Sequence, residues 1–208
     1  FLPFMLNDSS NILLFQEVRK KIPLIITDGY FQNNFTLEIL THFKTSSSID
    51  FSQVPFDNNL LNINEYEAAI HVRGSDFLDP NSIHYLPFSY YIHAVDHAFS
   101  NNITRFLIIS DDFQFAQKCK LLLQSRFLSC YFEIYNPNFR RSALYDFILL
   151  SKFTTLIIGN STFSWWASAI SSSPINLLIT PGYFISTYPR LFQLDHETVI
   201  SPHSNSSI

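Results

Sequence analysis

The chain predicts an α/β domain on a doubly wound parallel sheet, and three observations carry that prediction. From about residue 67, short apolar runs of β type recur; stretches of helical periodicity separate them; and the joins that follow the runs are polar, with glycine, serine or aspartate. Strands that are apolar on both faces need cover on both faces, and a parallel sheet with helices on either side provides it.

Residues 1–66 are less regular. The stretch LIITDGYFQNNFTLEIL predicts a strand, a turn at Asp28-Gly29 and a helix, and residues 45–64 (TSSSIDFSQVPFDNNLLNIN) read as a polar connection between two units. In the regular part, strands are predicted at 68–72, 105–109, 130–134, 155–158 and 175–179. After the first of these, Phe88, Tyr91, Ile92, Val95 and Phe99 recur at helical steps while His93, Asp96 and His97 face away, and Pro87 suits a first turn. Tyr85, Tyr90 and Tyr91 read as core with Phe88, and His84 as a solvated loop residue. Residues 1–66 and 67–208 are therefore treated as two regions.

The 208 residues, 47% of them hydrophobic, suffice to fill a core. A net charge of −4, with no basic cluster larger than Arg19-Lys20-Lys21, argues against a nucleic-acid partner; that run reads as a solvated helix end. Cys119 and Cys130 match neither a metal-ligand spacing nor a disulfide framework and read as reduced core residues. No apolar run reaches the roughly eighteen residues that span a bilayer, and the opening FLPFML lacks a basic flank, so any membrane anchor is expected outside this chain. The lack of an initiator methionine predicts a fragment. Sequons at Asn7, Asn34, Asn102, Asn160 and Asn205 weakly favour a secretory-pathway protein.

Ligands of such sheets bind beyond the carboxyl ends of the strands, which directs attention to three loops. They are His71-Val72-Arg73-Gly74-Ser75-Asp76, Ser110-Asp111-Asp112 and Gly159-Asn160-Ser161-Thr162-Phe163-Ser164. Arg73 offers a planar fork of donors that matches a phosphate or carboxylate, or else forms a structural salt bridge to Asp76. The hydroxyls of Ser161, Thr162 and Ser164 and the backbone N–H groups at a helix start favour an anion, although one of them acting as a plain N-cap is the simpler alternative. Two of the four glycines, Gly74 and Gly159, fall in these loops, where a backbone turns tightly or comes close to something. Asp111 or Asp112 either caps the next helix or accepts hydrogen bonds from a ribose or guanine. There is no Walker motif, no G-x-G-x-x-G and no metal cluster, Asp195-His196-Glu197 being read as surface. A diphosphate bound here would be held by Arg73 and backbone dipoles without a required metal.

The stretches HVRGSDF, FLIISDDFQFAQK and above all GNSTFSWWASAI resemble, in order and spacing, the α-1,2-fucosyltransferases of glycosyltransferase family eleven. The likeness extends to DGYFQN, LPFSYYIHAV, LYDFILLSKFTTLIIGN and TPGYF and covers most of residues 24–185. It implies a GT-B-like enzyme whose Rossmann-like C-terminal half, here 67–208, binds GDP-fucose, with 1–66 a remnant of the acceptor side. It further implies that Arg73 contacts the diphosphate, with His71 beside it and Asp76 shaping the loop. Asn160, Ser161, Thr162, Phe163 and Ser164 would line the phosphate and sugar end, and Asp111 or Asp112 the nucleoside. The implied reaction is inverting transfer of L-fucose from GDP-β-L-fucose to the 2-OH of a galactose-containing glycan. No metal or further cofactor is implied. The compartment would be the Golgi lumen in a eukaryote and the cytoplasm in a bacterium.

Two departures from the family pattern stand out. Gly74 and Ser75 occupy the place of a second Arg followed by Gly, so one positive charge is missing, and a glycine-rich motif of the type G-L-G-N-Q does not occur. The chain is expected to begin after that motif. A fucosyltransferase is thus weighed against a non-catalytic relative that binds the nucleotide sugar, and against an unrelated anion-binding α/β domain. Of Trp165 and Trp166, one ring is expected against the sheet and the other over the sugar or a neighbouring helix.

Overall fold

The computed structural model describes residues 4–7, 25–28, 62–74, 79, 81–82, 84–135, 143–171, 174–185, 188–189 and 196–201. The chain divides into two compact units, Phe1–Ser48 and Ile49–Ile208. In the first, β1 (Phe4–Asn7) pairs in parallel with β2 (Ile25–Asp28), the strand predicted before Gly29. The turn and helix expected after it lie outside the described residues, as does Arg19-Lys20-Lys21.

The second unit is built on a six-stranded sheet that is parallel throughout. Its strands are β3 (Ala68–Val72), β4 (Arg105–Ser110), β5 (Tyr131–Ile134), β6 (Thr155–Ile158), β7 (Leu177–Pro181) and β10 (Glu197–Ile200), in the order β10-β7-β6-β3-β4-β5. A short antiparallel pair, β8 (Tyr183–Ile185) and β9 (Tyr188–Pro189), lies between β7 and β10 in the chain. The α-helices among its described residues are α1 (Phe88–Ser100), α2 (Phe113–Arg126), α3 (Ala143–Leu150) and α4 (Thr162–Ala169). Every residue of β3 and β6 is buried, as a doubly covered sheet requires.

Alternation along the strands sorts the two faces. Ile70, Phe106, Ile108, Ile157 and Ile179 share one core with Tyr90, Tyr91 and Val95 of α1 and Ala116, Cys119 and Leu123 of α2. His71, next to Ile70, points to the opposite face, where its ring meets Phe163 of α4. Trp165 is fully buried and Trp166 only partly, with the rings edge to face at 5.5 Å, so one indole is core as expected. Cys119 is buried and Cys130 partly exposed, and both are free thiols.

Several boundaries differ from the periodicity reading. The buried stripe of α1 runs through Tyr90, Tyr91, Ala94, Val95 and Ala98, leaving Phe99 40% exposed at the last turn. Strand β5 starts at Tyr131 because Cys130 is still in a turn, its N–H bonded to Phe127 O. Strand β7 is shifted two residues onward. Its ladder to β6 begins at Thr155↔Leu177, and its far end is extended by pairing with β10, an edge strand the apolar runs did not announce. His196 and Glu197, read as surface, are therefore half-buried beside and within that edge strand; Asp195 is outside the described residues. No helix among the described residues is long and apolar enough to cross a membrane.

Candidate donor-binding site

The strand order places the site. The chain winds outward from β3 through β4 to β5, then returns to the other side of β3 and winds through β6 to β7, so the order reverses between β3 and β6. At such a switch point the loops leaving the two carboxyl ends part and open a crevice. Arg73-Gly74 leaves β3 there, Gly159 to Ser164 leaves β6, and Asp111-Asp112 leaves the adjacent β4. The three loops singled out in the sequence thus share one rim.

The guanidinium of Arg73 is ion-paired to Asp111 Oδ2. The second carboxylate oxygen, Oδ1, accepts the Gly74 N–H at 2.8 Å. Asp111 therefore grips both the side chain and the main chain of the β3 loop. The two side chains keep 35% and 31% of their exposure, so the pair adds little stability, and its effect is to hold the guanidinium at the crevice. Asp111, one strand over, is thus a partner of Arg73; Asp76, the partner weighed in the sequence, and Ser75 lie outside the described residues.

Asp112 does the other job foreseen for this acidic pair. It is the N-cap of α2, its carboxylate accepting the Phe115 N–H at 2.9 Å. Its Cβ would lie 2.2 Å from a Cβ added at Gly74, so the β3 loop passes where no side chain fits.

Helix α4 begins differently. Ser161 occupies its N-cap position with extended φ −102° and ψ 125°, yet makes no side-chain cap bond. Ser164, fully buried, turns its hydroxyl back to Ser161 O at 3.2 Å. Of the three hydroxyls expected to line the rim, that of Ser164 is thus spent inside the first turn. Thr162 and Phe163 remain partly exposed at the start of α4, whose first N–H groups receive no cap bond from the Ser161 side chain. Asn160 is 3% exposed, and its Nδ2 donates to His84 O at 2.7 Å, tying the β6 loop to the segment before α1. That amide is therefore closed as a sequon in the fold, whereas Asn102 is exposed in a turn at φ 64°. The side chain of Asn7 is not described, and Asn34 and Asn205 lie outside the described residues.

His71 is 4% exposed, with its ring 5.7 Å from that of Phe163, which meets Phe147 edge to face at 5.3 Å. It lies beneath the α4 side of the crevice. Two residues assigned only to the core also serve the rim. Tyr90 Oη donates to Ile158 O at 2.5 Å, and Tyr91 Oη lies 3.4 Å from where a Cβ at Gly159 would stand. Burial above all holds the Tyr91 hydroxyl protonated well beyond its ordinary range. The available signal was the pair itself, since two adjacent tyrosines in a buried helix bring two hydroxyls that need partners.

Chemically, the rim brings one guanidinium and one uncapped helix N-terminus to the two sides of a parallel-sheet switch point. Both favour a negative group, the first by charge and hydrogen bonds and the second by the helix dipole.

The model of glycosyl transferase family 11 matches residues 24–183. Among solved structures, the chain is similar to POFUT1 in its complex with GDP, at 11% identity and a TM-score of 0.38, over 79% of this chain and 58% of that one. It thus spans little more than half of that protein. No curated protein matches the chain. By the family match across most of its length, this chain belongs to glycosyl transferase family 11.

Proposed function

We propose that the chain is the donor-binding part of a fucosyltransferase that transfers L-fucose from GDP-β-L-fucose to a galactoside hydroxyl, with inversion and an α-1,2 linkage, without a required metal. One observation carries the reading: Arg73 and the uncapped start of α4 flank the switch point between β3 and β6. In this reaction the acceptor oxygen bonds to the anomeric carbon as the bond from that carbon to the diphosphate breaks. Negative charge then grows on the departing GDP. Arg73 and the first N–H groups of α4, with Thr162 and Phe163, stand where that charge would develop, and donors set in advance at such a place lower the barrier.

Asp111 aligns Arg73 in this scheme and yields part of its ion pair to the incoming diphosphate. His71 supports Phe163, Asn160 braces the loop through His84, and Asp76 belongs to the same β3 loop. The family match supports a nucleotide-sugar donor.

A second reading has its own observation. Gly74 stands where the resembled family carries a second arginine, and the approach of Asp112 excludes any side chain there. A donor site with one cation fits a chain that binds the nucleotide sugar without turning it over. Calorimetric titration with GDP-fucose, GDP and UDP, with a galactoside turnover assay on the full-length gene product, separates the readings. The first expects guanine preference and fucosylated product; binding without product favours the second. Arg73→Ala is expected to weaken GDP binding by about a hundredfold or more, consistent with roughly 3 kcal/mol for a charged donor. Unchanged affinity removes Arg73 from the site.

A further inference from the structure

Between β3 and α1 the chain crosses the carboxyl ends of β6 and β7 and is fastened there. Asn160, two residues past β6, donates to His84 O at 2.7 Å, and Tyr183, two residues past β7, donates to Tyr85 O at 3.3 Å. Leu86 Cδ2 would stand 3.5 Å from a Cβ at Gly159. His84 to Leu86 thus occupy the β6–β7 side of the switch point. A ligand whose anionic group lies between Arg73 and the start of α4 is left the β3–β4 side, beyond Asp111 and Asp112, for its remainder.

On that side stands Phe113, the first residue of α2, 44% exposed. Two other large aromatics among the described residues are comparably exposed, Phe99 and Tyr131, and both lie toward the amino-terminal end of the sheet. Helix side chains lean toward the helix amino terminus, so Phe113 leans over the carboxyl rim. Phe115, two positions on and about 200° round the helix, turns instead onto Phe88, with ring centres 4.9 Å apart. Asp112 fixes this turn of helix from both directions: its carboxylate accepts the Phe115 N–H at 2.9 Å, and its Cβ closes on Gly74, the neighbour of Arg73. Phe113 is therefore held one residue from the point where the β3 and β4 loops meet.

We propose that Phe113 is the stacking face for the base of the donor nucleotide: the diphosphate lies between Arg73 and α4, and the base lies on the Phe113 ring at the start of α2. A phenyl ring exposed beside a charged crevice offers a flat apolar surface, and the face of its base is the flat apolar part of a nucleotide. Stacking of this kind does not read which base is bound, so Phe113 supplies affinity and orientation and not the preference for guanine. The inference rests on the donor-binding reading above, which is tested separately by whether the native protein binds GDP at all.

The test titrates Phe113→Ala, Phe113→Tyr and Phe99→Ala, each in the full-length gene product, with GDP and with inorganic pyrophosphate, which lacks the nucleoside. In Phe113→Ala, GDP affinity is expected to fall about tenfold while pyrophosphate affinity holds, a loss of the size expected for one base–aromatic stack. Phe113→Tyr keeps an aromatic face and is expected to bind GDP as the native protein does. Phe99→Ala removes a comparably exposed ring at the other end of the sheet and is expected to change neither affinity. A folded Phe113→Ala with native GDP affinity overturns the proposal, and so does an equal loss of GDP and pyrophosphate, the mark of a displaced Arg73. Should Phe113→Ala fail to fold, NMR of the native protein with GDP decides. Nuclear Overhauser contacts between the Phe113 ring and the guanine H8 support the stack, and their absence overturns it. A native protein that binds no GDP overturns the donor reading and this proposal with it, whereas native GDP binding that Phe113→Ala leaves unchanged overturns this proposal alone.

Discussion

Gly74 is a residue whose identity follows from a single distance. An added Cβ would stand 2.2 Å from Asp112 Cβ, and Asp112 cannot retreat because it caps α2. Gly74→Ala is therefore expected to cost about 1–3 kcal/mol in denaturant unfolding, the usual range for forcing an atom into filled space. Gly159→Ala is the control. Its Cβ would meet Tyr91 Oη at 3.4 Å and Leu86 Cδ2 at 3.5 Å, ordinary contacts, and its loss should be much smaller. The sequence marked both glycines as places of close approach, and only the distances tell them apart. Arg73 was legible for the same reason, as a cation beside a glycine at a strand end. Its pairing with Asp111 was not. Asp111 arrives from the neighbouring strand, and neighbours in a sheet are set by pairing rather than by sequence distance.

At the scale of elements, two helix starts on one rim are treated in opposite ways. Helix α2 is capped by Asp112, and Asp112→Ala is expected to lower stability by about 1 kcal/mol, seen as a reduced urea midpoint at unchanged slope. Helix α4 has Ser161 in the cap position without the cap bond. Ser161→Ala should accordingly cost less than Asp112→Ala in the same experiment, and an equal loss would show that Ser161 caps α4 in solution. Periodicity located both helices, since it reports which face is buried. Whether a serine at a helix start bonds inward or leaves the N–H groups open depends on a rotamer and on neighbouring loops. The edge strand β10 was missed on similar grounds: ETVI is a short, half-buried run without the continuous apolar character of the central strands.

For the molecule as a whole, the amino-terminal end of the sheet is tied by carboxylates, far along the strands from the crevice. Glu67 accepts the Thr104 N–H at 2.7 Å and the Arg105 N–H at 3.0 Å, and the Thr104 bond chiefly holds its pKa below the ordinary 4.5. Glu133 on β5 accepts the hydroxyls of Tyr131 and Tyr66, at 2.6 and 2.5 Å, and is held below 4.5 by these bonds, Tyr131 first. A carboxylate whose pKa is depressed by folding contributes stability that is full above its unfolded value and is lost as pH falls through its folded value. The unfolding midpoint is therefore expected to hold above about pH 4.5 and to drop below it. Glu133→Gln should flatten that drop, and a midpoint unchanged by acid would contradict the role given to both carboxylates.

The sequence by itself determined the alternation of strands and helices, the parallel sheet and the set of loops along its carboxyl rim, because burial on two faces imposes a local pattern that one strand or helix carries alone. Tertiary structure alone decided the order β10-β7-β6-β3-β4-β5, and with it the switch point between Arg73 and α4. It also decided that Arg73 pairs with Asp111 and that Ser164 turns inward. These are choices among partners distant in the chain, made when strands pair and side chains compete for the same space and the same hydrogen bonds.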